Sequence, residues 1–193
     1  ENPKCQYGVD GIVFDHDGNL YVGNFGDGVV HKITFNPDGS VKENRKWACD
    51  PANLKSTDGM TIDPYGNIYV ADFSANAIAR ITPDGRVTRM ACSPDTDGFH
   101  GELDEPGEPC VWGDKIIVSC FDLVTDEEKV NTAHEMPATM AMLDVEPSEK
   151  HKSPPTPSRG GRAFSAHGEE ALSGVNDNLA GLLLDNVVQA LAV

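Results

Sequence analysis

No Cys-x-x-C pair, no basic cluster and no apolar run long enough to span a bilayer occurs in this chain. Each absence removes a class of function. Five cysteines (Cys5, Cys49, Cys92, Cys110 and Cys120) form an odd set without zinc spacing or a disulfide framework. Cys110 and Cys120 fall on apolar strand patterns and read as small buried hydrophobes. Lys and Arg number 15 against 31 Asp and Glu, for a net charge of −16. Phosphate backbones need clustered cations, so nucleic acid is excluded as a partner, and anionic lipid is repelled. Both a solvated acidic surface and divalent-cation binding are compatible with that charge. No signal peptide is visible, although the chain starts abruptly enough for an upstream segment to be lost. The compartment stays open, with the cytoplasm as the default, and no membrane association is expected.

What is present is a repeat. Val9-Asp10-Gly11-Ile12-Val13-Phe14-Asp15, then Gly18-Asn19-Leu20-Tyr21-Val22 and Phe25, returns as Thr57-Asp58-Gly59-Met60-Thr61-Ile62-Asp63, then Gly66-Asn67-Ile68-Tyr69-Val70 and Phe73. Every pair is 48 residues apart, since 58 − 10 = 48. A period of ~40–50 residues built from short strands marks a radial β-architecture, in which no copy buries its faces alone. The first residue of the repeat recurs around a shared axis, and here it is an aspartate.

Each copy parses into four antiparallel strands, the content of a propeller blade. In the first, Gly11–Phe14, Leu20–Val22, Val29–Phe35 and Val41–Ala48 are separated by Asp17-Gly18-Asn19 and Asn36-Pro37-Asp38-Gly39. In the second the strands are Thr61–Ile62, Ile68–Val70, Ala77–Thr82 and Val87–Cys92, with Pro83-Asp84-Gly85 as a turn. A diverged third copy places Pro106-Gly107 in the Asp58-Gly59 slot, Ile116–Ser119 as its second strand and Thr139–Val145 as its third. The expected fold is all-β: about three propeller blades over residues 1–145. A Pro/Gly-rich linker follows over 146–168, and then a short C-terminal helix over 169–193, where Leu172, Val175, Leu179, Leu182, Leu183 and Val187 recur at helical spacing.

The pattern Asp-Gly, apolar strand, Asp-x-x-Gly-Asn, Leu/Ile-Tyr-Val resembles the regucalcin/gluconolactonase/luciferin-regenerating enzyme family of six-bladed propellers. Gly107-Glu108-Pro109-Cys110-Val111-Trp112-Gly113 is similar to that family's penultimate blade, and the segment from Val130 to Thr139 to its closing region. The resemblance covers about residues 5–145. It implies a divalent cation in the channel, Ca2+ first and Zn2+, Mg2+ or Mn2+ as the other candidates. By blade order it implies Asp58 as the metal-binding aspartate and Asp10 in a slot where the family carries Asn. The remaining ligands, a Glu and an Asn, would lie upstream.

It also implies hydrolysis of a sugar lactone or related ester, with Asp58 as ligand and general base. Chemically, a Lewis-acidic cation polarises the lactone carbonyl while a carboxylate relays the proton.

Two alternatives stay open beside this. Asp10 and Asp58 can simply open a tight turn, as Asp-Gly often does. The chain can also be a non-catalytic propeller module that binds ligands or proteins through its loops. Asp15-His16-Asp17-Gly18 resembles the start of a Ca2+ loop but lacks the downstream bidentate Glu, which favours a hairpin turn. Asn24, Asp72 and Cys120 share one repeat position that faces either the channel or a solvated loop. Glu102, Asp104, Glu105 and Glu108 read as a solvated acidic run. His100 and His134 lack a Ser or Cys partner signature, and neither takes a catalytic role. Three blades leave two open sheet edges, so self-association through those edges or through the tail helix is expected, with weak metal binding and weak turnover in the isolated chain.

Overall fold

The computed structural model describes residues 8–122, 130–131, 134 and 136–145. The expected linker and tail helix lie outside them. Three antiparallel sheets follow one another along the chain. The first holds β1 (Val9–Phe14), β2 (Leu20–Asn24), β3 (Val29–Phe35) and β4 (Val41–Ala48) in that order. The second holds β5 (Met60–Ile62), β6 (Ile68–Asp72), β7 (Ala77–Ile81) and β8 (Val87–Cys92). The third holds β9 (Pro106–Trp112), β10 (Lys115–Cys120) and β11 (Met140–Asp144), with β10 central. Among the described residues no helix is long and apolar enough to cross a membrane.

Local chemistry explains the hairpins. Asp15 Oδ1 accepts from the N–H groups of Asp17 and Asn19, and its Oδ2 from Asn19 Nδ2 and the Tyr21 hydroxyl. Asp63 repeats this with the Tyr65 and Asn67 N–H groups, Asn67 Nδ2 and the Tyr69 hydroxyl. The Asp-x-x-Gly-Asn-x-Tyr motif is therefore a clamp that closes β1 on β2 and β5 on β6. Gly18 and Gly66 take φ of 79° and 83°, a conformation open to glycine at no steric cost. With its oxygens committed to these donors, the Asp15 segment is a hairpin turn, as its missing Glu suggested.

Packing runs sheet against sheet. Tyr21, Val30 and Ala48 of the first blade meet Met60, Ile68, Val70, Ala79 and Ile81 of the second. The other face of the second blade, Tyr69, Ala71 and Ile78, meets Ile116, Val118, Cys120 and Ala141 of the third. All five residues of β6 are buried, because this strand is covered on both faces. Burying each such large apolar side chain is worth about 1.5–3 kcal/mol.

The repeat is also visible as a ladder of rings. Phe25 and Phe73 stand 5.5 Å apart, and Phe73 and Phe121 6.4 Å, each step being one 48-residue repeat. Cys120 is buried as expected. Cys110 is exposed, because strand alternation turns it away from the seam that holds Ile116 and Val118.

Candidate functional site

The inner strands β1, β5 and β9 are neighbours in space, and glycine at one repeat position lets them approach. A Cβ at Gly11 would stand 2.2 Å from the Asp58 carbonyl oxygen, and one at Gly59 2.6 Å from the Gly107 carbonyl oxygen. A Cβ at Gly107 would stand 1.9 Å from the Phe121 ring. None of these three glycines has a positive φ. Close approach, not a tight turn, explains the Asp-Gly pair. The Gly59 N–H donates to the Gly107 carbonyl at 2.8 Å and stitches the second blade's inner wall to the third.

Asp10 and Asp58 therefore lie at the same end of adjacent inner strands. Asp10 is exposed and Asp58 half-buried, with the Asp58 N–H donating to Ala71 O at 2.9 Å. The third copy lacks the aspartate but carries Glu108 two residues further on. Glu108 Oε2 lies 2.0 Å from where a Gly59 Cβ would be, so this side chain reaches across onto the second blade. Glu108 is exposed overall, but partial desolvation first, and then the negative charge of Asp10, push its carboxyl above the usual range. Sequence reasoning placed Glu108 in a solvated acidic run, and the residue is indeed exposed; what that reading did not give is its reach onto Gly59. The position of Glu108 after the repeat's glycine, where Ile12 and Met60 stand in the other copies, is the signal that could have found it.

Asp72 supports the segment leading to Asp58. Its carboxylate accepts from the N–H groups of Lys55 and Ser56 at 2.9 and 3.0 Å and from Ser56 Oγ at 3.1 Å, with Arg89 at 3.6 Å. It is fully buried and aimed into the loop, so it is a positioning residue and does not line a channel. Burial raises its pKa against the lowering effect of those donors and of Arg89. Asp104 and Glu105 also depart from expectation, since both are buried beneath Asn76 and Asn131. His134 sits in this region, with Nδ1 donating to the Asp122 carbonyl.

Similarity to known proteins follows the repeat. Residues 11–97 match the SMP-30/Gluconolactonase/LRE-like region. Among solved structures, a luciferin-regenerating enzyme is 18% identical and superimposes with a TM-score of 0.55 over 70% of this chain and 44% of its own. A calcium-binding protein, regucalcin, from Agrobacterium tumefaciens is 18% identical over 63% of this chain and 40% of its own, with a TM-score of 0.47. No curated protein matches by sequence. The chain thus spans less than half the length of these relatives, and the likeness to the first of them shows a propeller fold.

The SMP-30/Gluconolactonase/LRE-like match raises a divalent cation as a question for these residues. Asp10, Asp58 and Glu108 are hard oxygen donors of the right kind. Among the described residues, however, no three His, Cys, Asp or Glu side chains gather as a group able to hold a metal ion. The wall as it stands does not fit a complete cation centre.

Proposed function

We propose that the chain supplies one wall of a lactonase-type site in an SMP-30/gluconolactonase-like propeller, acting on a sugar lactone or related ester. The observation that carries this is the Glu108 carboxyl, which reaches onto the strand that Asp58 leads and whose pKa is raised by partial desolvation and by Asp10. Carboxyl groups with different environments divide acid and base roles between them. Asp58 accepts a proton from the attacking water, the carbonyl carbon gains that oxygen, and the ring C–O bond breaks. Glu108 delivers a proton to the leaving oxygen, giving a hydroxy acid. The Ca2+-class cation that the family match suggests would use Asp58 and Asp10, with further donors from outside the described residues. No step here depends on it.

The test is acid release from a sugar δ-lactone, followed with the full chain in excess CaCl2. Slow turnover above the buffer rate, lost in Asp58→Asn and reduced with an altered pH profile in Glu108→Gln, is expected. No turnover above buffer, or turnover that survives Asp58→Asn, sinks the reading. The second reading, a non-catalytic binding module, is favoured by the lack of a three-residue metal group among the described residues. Saturable lactone binding without turnover would establish it.

A further inference from the structure

One apolar face of the first blade is buried without a described neighbour. Leu20, Val22 and Ile33 share a side of β2 and β3, since Ile33 pairs with Leu20 and His31 with Val22. They are 5, 2 and 0% exposed. This side is turned away from the second blade, which packs on Tyr21, Val30 and Ala48. Among the described residues, the hydrophobics packed against the trio are Phe35 and Val41, both of the same sheet. The other end of the molecule shows an uncovered face for comparison. There, on the third blade, Met140 and Met142 are 64 and 58% exposed.

The cover over the trio is narrow. Ile12 and Phe14 lie on the same side, opposite Val22 and Leu20, yet they are 60 and 53% exposed. So β2 and β3 are covered and β1 is not. A packed sheet does not leave that pattern: Met60, which stands where Ile12 does one repeat on, is 5% exposed against the first blade. Neighbouring strands lie about 4.8 Å apart, and a helix with its side chains is about 10–12 Å across. One helix laid along the β2–β3 pair covers those two strands and leaves the third bare.

The chain carries a segment of that kind. Over 169–193, Leu172, Val175, Leu179, Leu182, Leu183 and Val187 recur at helical spacing, and no other stretch outside the described residues holds such a stripe. From Leu172 to Val187 a helix is about 24 Å long. The 7 residues of β3 extend about 23 Å. Reach is sufficient as well: a coil over 146–168 spans about 26 Å on average, against about 20 Å for two sheet-to-sheet spacings. Charge agrees, since the segment has Glu169, Glu170, Asp177 and Asp185 and no Lys or Arg. On the covered side, Lys46 stands in register with His31.

We propose that the C-terminal segment 169–193 docks as an amphipathic helix on the outer face of the first blade, where Leu20, Val22 and Ile33 receive its apolar stripe. The consequence is control over association. Ile12, Leu20, Val22 and Ile33 correspond, 48 residues on, to Met60, Ile68, Val70 and Ile81, which pack on Tyr21, Val30 and Ala48 of the preceding blade. The face is therefore built to receive a blade. Ile117 stands where Tyr69 does one repeat earlier, so the third blade's outer side is the matching surface. The docked segment keeps a second copy's third blade off the first. None of this rests on the hydrolase reading.

The experiment places a benzophenone cross-linker on the full chain as Phe14→p-benzoylphenylalanine, beside the covered strands. Irradiation of dilute protein should join position 14 to residues 169–193 of the same chain, read by mass spectrometry. Leu179→Glu/Leu183→Glu puts charge into the stripe and should cut that yield by about fivefold or more, because unpaired charge resists burial. Ser173→Glu/Leu184→Glu adds the same charge off the stripe and should leave the yield unchanged. The first pair should also raise the associated fraction in sedimentation velocity runs, and the second should not. Cross-links to a second copy, or to residues 1–7 or 123–168 instead, overturn the docking. So do the absence of any cross-link and a yield that both pairs lower equally. Association that does not rise when the stripe is charged overturns the segment's role in keeping copies apart.

Discussion

The Glu108 carboxylate lies across the bare Cα of Gly59, so that a methyl at position 59 would meet Glu108 Oε2 at 2.0 Å and the Gly107 carbonyl oxygen at 2.6 Å. The carboxylate can swing aside, but the carbonyl belongs to the neighbouring blade's inner strand and cannot. Gly59→Ala is therefore expected to destabilise the chain by about 1–3 kcal/mol, the usual range for overpacking. Urea unfolding measures this, with Gly8→Ala as the control, since nothing lies within 4 Å of a Cβ there. Equal midpoints for the two variants would remove close approach as the reason for this glycine.

Asp10 acts on Glu108 through charge. Its carboxylate helps to raise the Glu108 pKa, so Asp10→Asn is expected to lower that pKa in an NMR titration of the side-chain carboxyl. The linkage sign follows. A carboxyl raised by folding contributes stability that is full at low pH and lost as pH rises through its folded pKa. Asp10→Asn should therefore gain stability over the parent at neutral pH and show no such gain at pH values where Glu108 is protonated. An unmoved Glu108 titration would mean that the two groups do not face one another.

Local features were readable from sequence because their causes are local. Val29–Phe35, Val41–Ala48 and Val87–Cys92 are strands with the expected bounds, since alternation and a turn define each of them without distant help. The buried acids were not readable. Asp104 and Glu105 sit among four acidic residues within seven positions, a solvated pattern, yet distant partners such as Asn76 and Asn131 hold them inside. Those partners are 29 and 27 residues away. Glu108 is exposed, as a solvated run expects, but its reach onto Gly59 was not readable because that neighbour belongs to another blade.

The Asp15 clamp gives a pH-dependent test. Burial works against its charge, but bonds from Asn19, Tyr21 and Asp17 outweigh it and hold the carboxyl below its ordinary 3.8. A lowered carboxylate contributes stability that is present above the unfolded pKa and is lost as pH falls through the folded one. Asp15→Asn should cost about 1 kcal/mol at neutral pH, the scale of a net hydrogen bond. The difference from the parent should shrink below about pH 4, where carboxylates protonate in the unfolded chain. A constant difference across that range would mean that the charge contributes nothing.

Asp72 offers a larger effect. Asp72→Ala leaves the Lys55 N–H, the Ser56 N–H and Ser56 Oγ without their acceptor, and Arg89 without its counter-ion. Unsatisfied buried donors cost about 1–3 kcal/mol each, so a total loss of about 3 kcal/mol or more is expected. The loss should also be local. Hydrogen exchange at Lys55 and Ser56 should quicken more than at Val70 in the strand core, because the segment leading to Asp58 loses its anchor. Uniform quickening would mean that Asp72 supports the whole blade and does not specifically position Asp58.

The third blade shows what its outer face is suited to meet. Register aligns Met142 with Ile117 and Ile117 with Cys110, while Met140 pairs with Ser119. Met140 and Met142 are exposed, as is Trp112 at the end of β9. In the other seams the corresponding face of one blade packs against the next blade, as Tyr69, Ala71 and Ile78 do against Ile116 and Val118. An apolar sheet face in water favours association. The chain is therefore expected to self-associate with rising concentration in sedimentation velocity runs, and Met140→Glu/Met142→Glu to shift it towards the monomer without loss of folded signal. The acidic net charge opposes that association, so added salt should strengthen it by screening. Salt-independent monomers at every concentration would mean that this face is not available for association.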